Sequence, residues 1–150
     1  LNLASTLISN YIFYNYINLN FFQNLEYLNL SFNSIEWIHE LKFQYNFNLK
    51  ILDMSHNNLT RIDNYSFFNN HKLEILNLSY NNLKYFTGEI YGNNLAVNSF
   101  INVILNNNNL IEMSLPFQIS ANGVINLANN NLSEYPKILI KNNIIISVLN

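Results

Sequence analysis

Three histidines, nine carboxylates and seven basic side chains are the groups here that could run acid–base or metal chemistry, and their spacing argues against both. His39, His56 and His71 stand apart, and His39-Glu40 is not followed by the second histidine that a zinc-binding helix needs. Asp53 and Asp63 are ten residues apart, one on a strand and one on a returning segment, so they are not expected to converge as an acid/base pair. With no cysteine in the chain, disulfides, thiol nucleophiles and Cys-bearing zinc sites are excluded from these residues. Three glycines, none at the required spacing, do not make a phosphate-cradling loop. The sequence is therefore read as having no catalytic residue, no metal ligands and no cofactor. Modification chemistry is better represented: Asn-x-Ser/Thr acceptors occur at Asn29, Asn58, Asn64, Asn77 and Asn131. With 34 Asn in the chain, roughly three to four such triplets arise by chance, so five are no excess.

The elements that must position these groups come from a repeated word, Leu-x-x-Leu-x-Leu-x-x-Asn-x-Leu. It reads from Leu25 to Ile35, from Leu49 to Leu59 and from Leu73 to Leu83, then with looser filling from Phe100 to Leu110 and from Asn122 to Leu132. First slots are spaced by 24, 24, 27 and 22 residues, and a fixed period of that size signals stacked repeats. Leu1, Leu3, Thr6 and Ile8 fit slots four, six, nine and eleven of a beheaded copy, while Ile146, Leu149 and Asn150 fit slots one, four and five of an unfinished one. This gives a partial repeat over 1–24, full repeats over 25–48, 49–72, 73–99, 100–121 and 122–145, and a partial repeat over 146–150, expected to be a segment of a longer protein.

Within each copy, apolar slots four and six alternate with slots three and five, as in a short strand with one buried face. Slot eleven (Ile35, Leu59, Leu83, Leu110, Leu132) and slot fourteen (Ile38, Ile62, Phe86, Met113, Tyr135) continue the core behind it. The slot-nine asparagines Asn33, Asn57, Asn81, Asn108 and Asn130 are expected to form an inward ladder, because the turn after the strand strands backbone groups that an amide can both donate to and accept from. The 27-residue copy is expected to carry its extra length as a loop around Tyr85 to Gly92, with Pro116 and Pro136 as turn residues.

The repeated word is similar to that of the leucine-rich repeat family over essentially the whole chain. Copies near 24 residues with Phe43 and Phe67 at slot nineteen resemble the repeats of extracellular receptors such as the Toll-like group, although Asn46 and Asn70 stand where that group usually carries Leu. The resemblance implies an α/β repeat solenoid, a horseshoe segment with a short parallel concave sheet and an irregular or 3-10 convex side.

Function is then expected on the concave strands. Slot eight aligns Phe32, His56 and Tyr80, and slot three aligns Tyr27, Ile51 and Ile75; aromatic residues grouped this way suit the centre of a protein-binding patch, or they stack on one another. Slot two adds an alternating Glu26, Lys50 and Glu74 row. Charged residues are only 11% with a net charge of −2, which leaves no basic field for nucleic acid. No apolar run is long enough to span a bilayer, since Ile138 to Leu149 is broken by Lys141, Asn142 and Asn143, so no membrane contact is expected of this segment itself. Together with the resemblance, these readings imply a protein ligand or co-receptor as partner and a receptor or adhesion ectodomain, extracellular or secreted, as context. An intracellular, cytoplasmic scaffold or regulatory subunit, and a repeat region attached to an enzyme such as a kinase, are the alternatives. If the protein is secreted, Asn64 at slot sixteen is the best-placed glycan acceptor.

Overall fold

The computed structural model describes residues 1–91, 100–114, 119–134 and 145–147. A six-residue helix α1 (Asn10–Asn15) comes first, followed by a 3-10 turn at Leu19–Phe21 and the strands β1 (Tyr27–Asn29), β2 (Trp37–Ile38), β3 (Ile51–Asp53), β4 (Arg61–Ile62), β5 (Ile75–Asn77) and β6 (Tyr85–Thr87). A second 3-10 turn at Gly88–Tyr91 precedes β7 (Phe100–Ile104), β8 (Glu112–Ser114), β9 (Ile119–Asn126) and β10 (Ile145–Ser147). Strands β1, β3, β5, β7, β9 and β10 form one six-stranded parallel sheet, with shorter parallel pairs β2–β4 and β6–β8 on the return side. The chain is a parallel-strand solenoid of leucine-rich repeat type.

Register follows the repeated word. Leu28, Leu52, Leu76, Val103 and Ile125 fall opposite one another at slot four. Those five, and Leu30, Met54, Leu78, Leu105 and Leu127 at slot six, are all buried. Complete burial of such a side chain contributes about 1.5–3 kcal/mol, and here it is achieved only against neighbouring copies, so stability accumulates along the stack. Slot eleven continues the core through Ile35, Leu59, Leu83 and Leu110, with Leu132 partly buried. Slot fourteen supplies Ile38, Phe86 and Met113, with Ile62 half-buried. Tyr135, Pro116, Pro136, Leu149 and Asn150 lie outside the described residues. On the return side Phe13, Phe43 and Phe67 form a buried row, with Phe43 and Phe67 stacked at 5.7 Å between ring centroids.

Three local features differ from the sequence reading. Of the Tyr85 to Gly92 segment expected to be a loop, Gly92 lies outside the described residues and Tyr85 to Tyr91 holds β6 and a 3-10 turn; Phe86 at slot fourteen is buried there, and its strand pairs with β8. In β9 the residue opposite Phe100 is Ile119, whereas Asn122 was expected at that slot, and the register shifts before Asn102 meets Val124. A polar Asn is a poor occupant of an apolar slot, and the irregularity brings an apolar residue into the pairing. At the last strand, Ile146 pairs with Ile125, which puts it at slot four and corrects the slot-one assignment that set the boundary at 146. The run Ile144-Ile145-Ile146 satisfies an apolar slot in more than one register, so its pattern alone does not fix the pairing.

Candidate protein-binding face

The sheet face is built by three hydrogen-bond ladders that convert a short strand into a turn. Slot five comes first. Asn2, Asn29, Asp53, Asn77 and Asn126 each accept, through Oδ1, the backbone N–H two residues on, at 2.9–3.2 Å. This is the Asx turn that Asn and Asp side chains favour. The sequence offered this signal, since five copies carry Asx at one slot, but the overall abundance of Asn hid it.

Slot nine forms the expected ladder. Asn57 Nδ2 donates to the Leu30 and Met54 carbonyls at 2.9 and 3.1 Å, while its Oδ1 accepts from the Ile35 N–H at 3.0 Å. Asn33, Asn81, Asn108 and Asn130 repeat the arrangement. Between these two ladders, slot eight has nowhere to go but the left-handed region: φ is 56° at Ser5, 54° at Phe32, 52° at His56, 55° at Tyr80, 55° at Asn107 and 56° at Asn129. A third ladder holds them there, with Phe32, His56 and Tyr80 N–H groups each donating at 3.0 Å to a carbonyl of the following copy. Asn tolerates that backbone, whereas a bulky ring there is an uncommon and strained choice.

The rings are brought together by sheet spacing. Parallel strands sit about 4.8 Å apart, close to ring-stacking distance, so identical slots in consecutive copies bring their side chains face to face. Phe32 stacks on His56 at 4.1 Å and 8°, and His56 on Tyr80 at 4.2 Å and 10°. Phe32 is 56% and Tyr80 48% exposed, with His56 half-buried between them. Further along, Asn129 Nδ2 donates to Asn107 Oδ1 at 2.9 Å, so the aromatic column continues as an amide column. Tyr27, Ile51 and Ile75 are register partners at slot three, Tyr27 exposed and the two isoleucines half-buried. In the slot-two row Lys50 pairs with Glu26 at 3.0 Å; both are solvent-accessible, which makes such a pair worth little to stability.

The histidines and carboxylates that could run acid–base or metal chemistry are dispersed. His56 lies in the aromatic column, His39 Nδ1 accepts from the Leu41 N–H at 3.2 Å, and His71 lies on the return side near Phe68. Asp53 forms its Asx turn while Asp63 pairs with Arg61 at 2.8 Å. No group of three His, Cys, Asp or Glu residues positioned for a metal occurs among the described residues, nor does a helix long and apolar enough to cross a membrane. Of the glycan acceptors, Asn58, Asn64 and Asn131 are exposed, whereas Asn29 and Asn77 are half-buried in Asx turns. Asn64 Nδ2 donates to Glu89 Oε2 at 2.7 Å.

The return side carries polar devices that sequence reasoning missed. Asn46 and Asn70, the two departures from Leu, form a second buried ladder: Asn70 Nδ2 donates to the Phe43 and Asn46 carbonyls, and Asn46 Nδ2 to those of Leu19 and Phe22. The Tyr14 hydroxyl donates to the Trp37 carbonyl and accepts from the His39 N–H, both at 2.8 Å. Burial pushes its pKa up to about 12. Lys42 Nζ donates to the Phe13 and Ile17 carbonyls beneath α1 and lies 4.1 Å from the centroid of the Phe13 ring. Burial lowers the Lys42 pKa to about 8.

Comparison with known proteins agrees with the geometry. The sequence model of the leucine rich repeat family matches residues 23–83 and, in an overlapping placement, residues 47–94. No curated protein matches the chain. Leucine-rich repeats typically mediate protein–protein interaction, through the kind of repeated surface described above. By matching word, strand register and asparagine ladder together, the chain carries leucine-rich repeats.

Proposed function

We propose that the sheet face of this solenoid binds a protein through a patch of Tyr27, Phe32, Ile51, His56, Ile75 and Tyr80. One observation carries the reading: three consecutive copies place rings at a left-handed position that Asn or Ser occupies in the copies to either side, and the rings stand stacked and solvent-accessible. Rigid exposed aromatics lose little entropy on binding and dominate interface energetics. Ring-on-ring stacking and recognition are compatible, because the stack holds the rings fixed before a partner arrives.

The context proposed is the ectodomain of a receptor or adhesion protein similar to the Toll-like group, extracellular or secreted, with a protein ligand or co-receptor as partner. Repeat lengths near 24 residues and Phe at slot nineteen support it. A Phe32→Ala, His56→Ala, Tyr80→Ala variant should lose about 2 kcal/mol of partner affinity, roughly 30-fold, in capture from the source organism's own cell-surface fraction. Unchanged capture by a variant with intact circular dichroism would exclude the patch. Secretory expression checks the compartment: glycosidase-sensitive mobility should appear and should diminish in Asn64→Gln. An unglycosylated product at all five acceptors would favour the intracellular scaffold.

A further inference from the structure

We infer that the partner segment seated on this face is cationic and presents arginine. The inference rests on the proposed binding face and names the chemistry that face accepts. Strands β1, β3 and β5 and the residue immediately before each carry Glu26, Asp53 and Glu74 against Lys50, a net charge of −2 over this part of the sheet face. Among the described residues the ion pairs are Lys50–Glu26 and Arg61–Asp63, so Lys50 compensates Glu26 and leaves Asp53 and Glu74 without a cation. These two lie on adjacent strands, at slot five of β3 and just before β5.

Each uncompensated carboxylate belongs to a copy that also contributes a ring. Asp53 precedes His56 and Glu74 precedes Tyr80, and the outer members of the stack, Phe32 and Tyr80, are about half exposed. A guanidinium combines both properties, stacking on an aromatic face and pairing with a carboxylate through two parallel N–H bonds, whereas an ammonium is a compact, strongly hydrated point charge. Negative potential on the same surface disfavours phosphate backbones and anionic lipid. The span from β1 to β5 is two strand spacings, about 10 Å, which roughly three residues of an extended peptide cover. An extended segment crossing the strands with arginines on alternate residues therefore fits the face.

The test uses the whole chain and a fluorescein-labelled peptide repeating Gly-Arg-Ser-Arg, with counterparts carrying Lys, citrulline or Glu at the arginine positions. Anisotropy should show saturable, salt-sensitive binding of the arginine peptide, about tenfold tighter than the citrulline and glutamate forms and a few-fold tighter than the lysine form. The variant Asp53→Asn, Glu74→Gln should lose the preference over citrulline while staying folded, since Asn already occupies slot five in the strands on either side. Phe32→Ala, Tyr80→Ala should remove the preference for arginine over lysine. Absence of saturable binding, equal binding of the citrulline form, or binding unchanged in the carboxylate variant overturns the inference. Binding of the glutamate or citrulline form that is lost in the Phe32/His56/Tyr80 alanine variant also overturns it, yet leaves the protein-binding face standing.

Discussion

Two asparagine ladders run along this solenoid, one at the strand-to-turn corner and one on the return side, and they hold the chain in different ways. At slot nine both ends of each amide are used, and of the groups they serve the Ile35, Leu59 and Leu83 N–H groups and the Leu30, Met54 and Leu78 carbonyls have no other kind of partner among the described hydrogen bonds. On the return side the Leu19, Phe22, Phe43 and Asn46 carbonyls each already accept a backbone N–H at 3.0–3.1 Å before Asn46 or Asn70 reaches them. The Asn46 and Asn70 Oδ1 atoms are buried without a protein donor. The same residue type is thus indispensable in one place and supplementary in the other. What decides is whether the backbone has a second partner.

That contrast makes the largest predicted effect a difference between two identical substitutions. Asn57→Leu orphans one buried N–H, at about 1–3 kcal/mol, and takes one of two donors from each of two buried carbonyls, so it should cost about 2–4 kcal/mol in urea unfolding. Asn70→Leu removes a buried acceptor that lacks a donor, adds apolar contact beside Phe43 and Phe67, and leaves both carbonyls bonded, so it should cost less than about 1 kcal/mol. Equal losses in the two variants would break the comparison.

Location on the return side is not itself what makes a polar group dispensable, and Tyr14 separates the two ideas. Its hydroxyl is the partner of both the Trp37 carbonyl and the His39 N–H, neither of which has another among the described hydrogen bonds. Tyr14→Phe should therefore cost about 1–2 kcal/mol, more than Asn70→Leu although both lie on the return side. A smaller loss than that of Asn70→Leu would mean that side of the solenoid, and not partner count, sets the cost.

The uneven legibility of this chain has the same origin. The slot-nine ladder could be read from sequence because a regular strand is followed by a turn whose unpaired groups are predictable, and because Asn33, Asn57, Asn81, Asn108 and Asn130 recur in step with apolar slots. The slot-eight column was legible as an alignment of Phe32, His56 and Tyr80, but its left-handed backbone was not. Asn107 and Asn129 signal that conformation, while three large rings in the middle of the column obscure it. Asn46 and Asn70 read as lapses from Leu because the amide ladder at that slot depends on turn carbonyls of the preceding copy, which the apolar pattern does not encode. With 34 Asn in 150 residues, a meaningful Asn and an incidental one look alike until their partners are known. The register of β10 failed for a related reason, since neighbouring isoleucines satisfy more than one alignment.

Lys42 gives the finest discrimination, because its contribution to the return side varies with pH. Its ammonium donates to the Phe13 and Ile17 carbonyls beneath α1, yet burial makes the charged form costly enough to lower its pKa from 10.5 to about 8. Between pH 8 and 10.5 the unfolded chain therefore holds a proton at Lys42 that the folded chain has released, and stability at this group rises with pH across that window. Tyr14 acts in the opposite sense: its pKa is raised from 10.0 to about 12, so the folded state retains a proton that the unfolded state gives up, and stability falls from about pH 10 upward. Unfolding midpoints should therefore climb above pH 8 and turn over near pH 10. Lys42→Met should abolish the climb without moving the fall, whatever it does to stability at neutral pH, and Tyr14→Phe should remove the fall without moving the climb. A Lys42→Met profile parallel to that of the parent would show that the lysine keeps its proton in the folded state through this range. The capping of α1 would then be a fixed charge contact, as indifferent to pH as the slot-nine amides at the opposite corner.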